Sequence, residues 1–108
     1  MSTNTDLRVE LLEADAGGAF VIRNAPGLEP ELRAEMTWSW REGVMVIHHT
    51  GVRPELRGRG VAGRLVQAAV TMARRDGFRI EPRCPFAARA FDKAGGGYDD
   101  VDARLQGP

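Results

Sequence analysis

The chain has almost no cysteine, lysine or tyrosine, carries no net charge and contains no long apolar run, and each shortage removes a class of function. Its single cysteine, Cys84, excludes an internal disulfide and a cysteine-based structural zinc site, and it fits a reducing compartment. Fifteen basic residues against fifteen acidic ones leave no global field to attract nucleic acid or an acidic membrane. No apolar stretch is long enough to span a bilayer. The segment Met1 to Asp6 is polar and lacks the apolar centre of a signal peptide, so a cytoplasmic protein is expected. Lys93 is the only lysine. Arginine suits fork-shaped phosphate contacts, although genome composition accounts for the same bias.

What remains is 108 residues, 43% of them apolar, enough for one modest core and one domain. Residues 1–6 are expected to be a disordered tail, 7–98 the domain, and 99–108 a tail of uncertain structure. Leu7, Val9 and Leu11 alternate with Arg8 and Glu10 as a half-buried strand. Asp15-Ala16-Gly17-Gly18 turns the chain into a second strand from Ala19 to Asn24, making a hairpin. After the loop Ala25 to Pro30, the apolar set Leu32, Ala34, Met36, Trp38 and Trp40 alternates with polar residues, which reads as an antiparallel strand with one wet face. Val44-Met45-Val46-Ile47 is apolar on both sides, the pattern of a central strand covered on both faces. From Val61 the spacing changes to that of a helix, with Val61, Leu65, Ala69, Met72 and Ala73 in one stripe and Gly77 as a left-handed cap. Phe78 to Glu81 is a fifth strand, parallel to the fourth through a right-handed crossover. Pro85 suits the first position of a second helix, running to about Ala94, with Cys84 as its N-cap. The expected fold class is therefore α/β (α+β): a four-strand antiparallel meander, a helix, a parallel fifth strand and a C-terminal helix.

The most informative stretch is Pro54-Glu55-Leu56-Arg57-Gly58-Arg59-Gly60-Val61-Ala62-Gly63-Arg64-Leu65, where three arginines fall within eight residues and a helix opens out of a glycine-rich turn. Glycines let backbone N–H groups approach an anion, and a helix N-terminus adds unsatisfied donors and a favourable dipole. Gly58-Arg59-Gly60-Val61-Ala62-Gly63 matches the dinucleotide fingerprint G-x-G-x-x-G, with Glu81 at a plausible ribose distance. That fold, however, starts with the strand immediately before the glycines, and too few residues follow Arg83 to complete its sheet. A triphosphate P-loop is excluded because no Gly-Lys-Ser/Thr follows. The turn could also be a plain strand-to-helix connection.

The same residues fit Arg/Gln-x-x-Gly-x-Gly/Ala as Arg57-Gly58-Arg59-Gly60-Val61-Ala62, and the segment Val52 to Val66 resembles the acetyl-CoA-binding motif of the GNAT-type N-acetyltransferase superfamily. With His49-Thr50 before the motif and Cys84-Pro85-Phe86 after it, the chain is similar to the small single-domain, YjdJ-type (N-acetyltransferase-domain-containing) subgroup over about Leu32 to Lys93. The resemblance implies acetyl-CoA as cofactor, lying where the fourth and fifth strands splay apart. Backbone groups near Thr50 and Val52 would then hold the pantetheine amides, and N–H groups of Arg57, Gly58, Arg59, Gly60, Val61 and Ala62 the pyrophosphate. Arg64 would come second, and Lys93 could reach a CoA phosphate, although a solvated lysine at a helix end is the simpler reading.

Acetyl transfer needs a deprotonated amine and a tolerable leaving group, and a thiol with a pKa of about 8.5 departs without a strong acid. Larger relatives place a tyrosine where Phe91 stands, and Tyr98 is displaced beyond the glycine run. The subgroup usually continues as His-Pro-Glu-Tyr, from which Ala94-Gly95-Gly96-Gly97-Tyr98 departs. The catalytic candidates are Cys84 and His49. A helix-capping thiol has a raised thiolate fraction and could take the acetyl group or lie beside the thioester, or it could be a small buried apolar residue. His49 matches the family's His-Thr and could be a general base, a polar cleft wall or a satisfied sheet histidine. His48 and His49 are adjacent on a strand, so at most one is expected to face the cleft. Trp38 and Trp40 read as packing residues. Where typical relatives insert helices between their first two strands, Asp15 to Gly18 gives only a turn, so the acceptor site should be open. The expected function is acetyl-CoA-dependent N-acetylation of an exposed amine on a protein or small molecule, without metal, nucleic acid or membrane. The alternative is a non-catalytic acyl-CoA-binding or interaction module.

Overall fold

A computed structural model describes residues 9–23, 33–52, 54 and 60–105, and in them the alternating segments pair as one five-stranded sheet. Strands β1 (Val9–Glu13), β2 (Gly17–Arg23), β3 (Arg33–Arg41) and β4 (Val44–Val52) run antiparallel in sequence order, and β5 (Arg79–Pro82) joins β4 in parallel. Helix α1 (Val61–Asp76) makes the crossover between β4 and β5, and α2 (Pro85–Lys93) follows β5. No helix among the described residues is long and apolar enough to cross a membrane.

Side-chain alternation determines which face each residue serves. Ile22, Ala34 and Val52 form one cross-strand row, and Phe20, Met36 and Thr50 the next. These apolar side chains, with Trp38, Met45, Ile47 and Ile80, form a single buried cluster with Val61, Leu65, Val66, Ala69 and Val70 of α1 and with Ala87 and Phe91 of α2. Both helices therefore lie on the same face of the sheet. Burying a side chain of this size contributes about 1.5–3 kcal/mol, so that face supplies most of the driving force for folding. The helix termini follow the local sequence. Gly77 caps α1 in the left-handed region, its N–H donating to Ala73 O at 2.8 Å, and Pro85 occupies the first turn of α2 behind the Cys84 cap.

The opposite face carries Ala19, Val21, Glu35, Thr37, Ser39, Val46, His49 and Gly51. Val21 and Val46 are buried but stand outside the main cluster, and no described helix covers them. Met45 and Ile47 on one face and Val46 on the other are all buried, as expected from Val44-Met45-Val46-Ile47.

After α2 the chain turns through Gly95 and Gly96 and forms two 3-10 turns, Asp99–Val101 and Ala103–Leu105, and Asp102 makes a parallel bridge to Ile80 on the outer side of β5. Two arginines tie this segment down. Arg74 of α1 grips Asp100 through two hydrogen bonds of 2.9 and 3.0 Å and reaches Gly97 O at 2.7 Å. Arg104 binds Asp102 through its side chain and its own backbone N–H, contacts Asp92 at 3.3 Å and lies 5.8 Å from the centre of the Phe91 ring. The Arg104 guanidinium holds the carboxyl of Asp102 below its ordinary range, chiefly by hydrogen bonding and against the effect of burial.

Candidate functional site

Pairing between β4 and β5 ends at Ile47↔Pro82, whereas β4 continues to Val52. Beyond Ile47 no described strand lies beside β4 on that side. The carbonyl of Ile47 closes the pairing by accepting two N–H groups, from Arg83 at 3.0 Å and Cys84 at 3.2 Å. Because β4 and β5 are parallel, the helices that follow them begin at the same end of the sheet, and carboxyl ends of parallel strands are a common place for ligands. The geometry is that of a splayed strand pair flanked by two helix N-termini.

On the helix-covered face, Cys84 caps α2. Its Sγ accepts the N–H of Ala87 at 3.3 Å and lies 3.2 Å from Oγ1 of Thr50, and the residue is only 6% exposed. Thr50 belongs to the face of Met36, so alternation directs its hydroxyl toward α2. From the sequence, only the backbone of Thr50 is expected to serve the site. A polar residue at a core-facing position of β4 was the signal that its side chain has a partner.

A β-bulge changes the position of the histidines. Thr37 pairs with His49, but its neighbour Trp38 pairs with Ile47, so His48 is the extra residue of β4. In a regular strand the two imidazoles would point to opposite faces. Here His49 stands opposite Thr37 and His48 Nε2 is 2.6 Å from Oγ of Ser39, a residue of the same uncovered face. Both histidines are exposed. The expectation that they face opposite sides is thus corrected, because one inserted residue shifts the alternation. It also follows that His49 and Cys84 are on opposite faces of β4, and the structure does not bring them together.

Helix α1 starts at Gly60, which has φ 73° and offers no side-chain cap, and no acidic residue occupies the first turn. The side chains of Val61 and Ala62 are in the core, leaving only their backbone N–H groups to face a ligand. A Cβ built on Gly60 or Gly63 meets no atom of the described residues within 4 Å. Arg64 is exposed and lines a groove between α1 and β1 with Val9, Leu11 and Phe20, at the other edge of the sheet from β5. Lys93 is exposed at the far end of α2, about 13 Å along the helix from the Cys84 cap. Val52 is buried at the end of β4. Arg57, Gly58 and Arg59 lie outside the described residues. A second groove, of about 640 Å³, lies between Gly43, Ala73, Phe78 and Asp100 and touches neither Cys84 nor the histidines.

These features fit a thioester cofactor with a long amide-bearing arm and a pyrophosphate. A strand edge without a neighbouring strand can pair with amides, and an uncapped helix N-terminus behind a glycine can hold an anion. Comparison with known proteins bears on the same region. The family model described as GCN5-related N-acetyl-transferase matches residues 20–101, from Phe20 in β2 to Val101 beyond α2. No curated protein matches the chain.

Proposed function

Since this chain belongs to the GCN5-related N-acetyltransferase family, with most of its length matched, we propose that it transfers the acetyl group of acetyl-CoA to an exposed amine of a protein or small molecule. The single observation that carries the reading to this chain's own residues is the end of β4–β5 pairing at Ile47, with an uncapped α1 at the same end of the sheet. Acetyl-CoA, when bound, supplies the activated thioester. Backbone groups of β4 near Thr50 and Val52 would hold its amides, and N–H groups from Arg57 to Ala62 its pyrophosphate, with Arg64 and Lys93 as outlying charge. Cys84 is proposed to meet the acetyl group from the helix side, its sulfur held by Ala87 and Thr50. His49 is proposed to meet the amine from the uncovered face. Direct transfer is favoured over an acetylated thiol. The Cys84 sulfur is almost fully buried and has no base beside it, the two histidines being on the other face of β4, so only its position at the helix cap is left to activate it. A cytoplasmic setting suits the free thiol.

The test is CoA titration by thermal shift. Binding at a hundredfold excess over Kd stabilises by about 2.7 kcal/mol, which for a domain of this size raises Tm by roughly 10 °C or more. Gly60→Glu, which places bulk and negative charge before the first turn of α1, should abolish the shift. No shift at millimolar CoA would refute cofactor binding. Binding without amine-dependent thiol release would leave a non-catalytic module.

A further inference from the structure

The bulge in β4 gives the two histidines different surroundings on one face, and the difference bears on which of them handles a proton. His48 is fastened. Its Nε2 lies 2.6 Å from Oγ of Ser39, which projects from the adjacent strand β3. His49 has no hydrogen-bond partner shown among the described residues. Its Nε2 lies 3.1 Å from where a Cβ of Gly51 would stand, so the ring leans along its own strand over a glycine.

From this arrangement we infer that His48, oriented by Ser39, accepts the proton of the acceptor amine, while His49 is a polar wall beside it. The inference rests on the acetyltransferase reading and sharpens it. In the tautomer whose Nε2–H donates to Oγ of Ser39, the lone pair of the imidazole is on Nδ1. When Nδ1 takes a proton, Nε2–H still donates to the same oxygen and the bond becomes charge-assisted, so Ser39 holds the ring in both states. The base then needs no reorientation during the reaction.

The balance is simple. The acceptor ammonium gives one proton to Nδ1 of His48, and the freed lone pair forms the N–C bond to the acetyl carbon. The electron pair of the breaking C–S bond leaves with sulfur, and the second proton lost from nitrogen ends on that sulfur. The products are the amide, the free thiol and a protonated His48. An amine reaches this imidazole from the face that α1 and α2 leave uncovered.

Among the described residues of β3, β4 and β5, the charged or titratable groups that alternation places on that face are Glu35 and Arg41, His49, and Arg79 and Glu81, with Glu81 paired to Arg83 at 2.7 Å. The rate should rise as His48 loses its proton, giving an acid limb in kcat/KM.

The experiment uses the full chain, n-butylamine and a lysine-containing peptide as acceptors, thiol release across pH, and CoA affinity by calorimetry. His48→Gln is expected to lower kcat/KM about 100-fold or more and to remove the acid limb, with CoA affinity unchanged. His49→Gln should keep the limb. A second readout is independent of turnover. In long-range proton–nitrogen spectra of the free protein, Ser39→Ala should change the tautomer balance of His48 and leave His49 as it was. Retention of the acid limb in His48→Gln, its loss in His49→Gln, or an unchanged His48 tautomer in Ser39→Ala would each overturn the inference. Wild-type protein that binds CoA without releasing thiol would overturn it and leave cofactor binding standing. Wild-type protein that does not bind CoA would overturn the acetyltransferase reading and this inference with it.

Discussion

The sulfur of Cys84 accepts a helix N–H and meets the hydroxyl of Thr50, so replacing it acts on α2 before it acts on any chemistry. Cys84→Ala leaves the Ala87 N–H without its acceptor and should cost about 1 kcal/mol in urea unfolding, whereas Cys84→Ser keeps an N-cap acceptor and should cost less. If transfer is direct, Cys84→Ser retains amine-dependent thiol release, and the intact mass of wild-type protein incubated with acetyl-CoA alone shows no acetyl adduct on Cys84. A stable adduct, chased by added amine, would establish the acyl-thiol route instead. Gly60 separates strain from ligand effects in the same way. Its φ of 73° is unfavourable for other residues, but a Cβ there meets no atom of the described residues within 4 Å. Gly60→Ala should therefore cost about 1–2 kcal/mol of stability through backbone strain and still bind CoA, unlike Gly60→Glu. A thermal-shift titration of the two variants side by side checks both halves.

Among the elements, the C-terminal turns depend most visibly on charge. Asp102 is 3% exposed and receives three hydrogen bonds from Arg104, which hold its carboxyl below the usual range. A carboxylate depressed in the folded state adds stability above its unfolded pKa of about 3.9, and that stability is lost as pH falls through the lower folded value. Asp102→Asn should thus be destabilised by roughly 2 kcal/mol near neutrality, as expected for hydrogen bonds to a charged group, and should lose less further stability than wild type between pH 4 and pH 2. Urea unfolding across pH measures this difference, and parallel pH profiles for the two proteins would refute the assignment. These turns were not legible in sequence, because what orders Asp99 to Leu105 is tertiary: Arg74 from α1 and the edge of β5. Each strand and helix before them was legible, since burial on one face imposes a period of two or of about 3.6. The Cys84 cap and the Gly77 cap were legible for the same local reason. The bulge at His48 was not. An inserted residue leaves the local composition unchanged and becomes visible only in the register with β3. The start of α1 was legible from the change of spacing at Val61, and the distance of Lys93 from Cys84 from the rise of α2, while the place of Arg64 beside β1 depended on how α1 lies on the sheet.

Across the described residues, two helices lie on one face of the sheet and none on the other, and that asymmetry is proposed to govern acceptor choice. That face carries the small residues Gly17, Ala19, Thr37, Ser39 and Gly51 together with Val21, Glu35 and Val46, and His48 and His49 stand on β4 beside them. Among the described residues no helix rises over this face to form a pocket wall, and the two grooves described above lie elsewhere. Enclosing walls are what give steep selection, where each methylene of substrate is worth about 1–3 kcal/mol, or 10–200-fold. An acceptor lying on an open face stays partly hydrated, so each added methylene should change kcat/KM by less than about tenfold. The expected result is a shallow trend in thiol release across a series of straight-chain primary amines, with a lysine-containing peptide used as readily as a free amine of similar basicity. Adding a branched group next to the nitrogen should matter more than lengthening the chain, because crowding at the reacting atom is felt on an open surface too. Steep discrimination by chain length would mean that a closed acceptor pocket forms in the working enzyme, and the proposal of an open acceptor face would then be wrong.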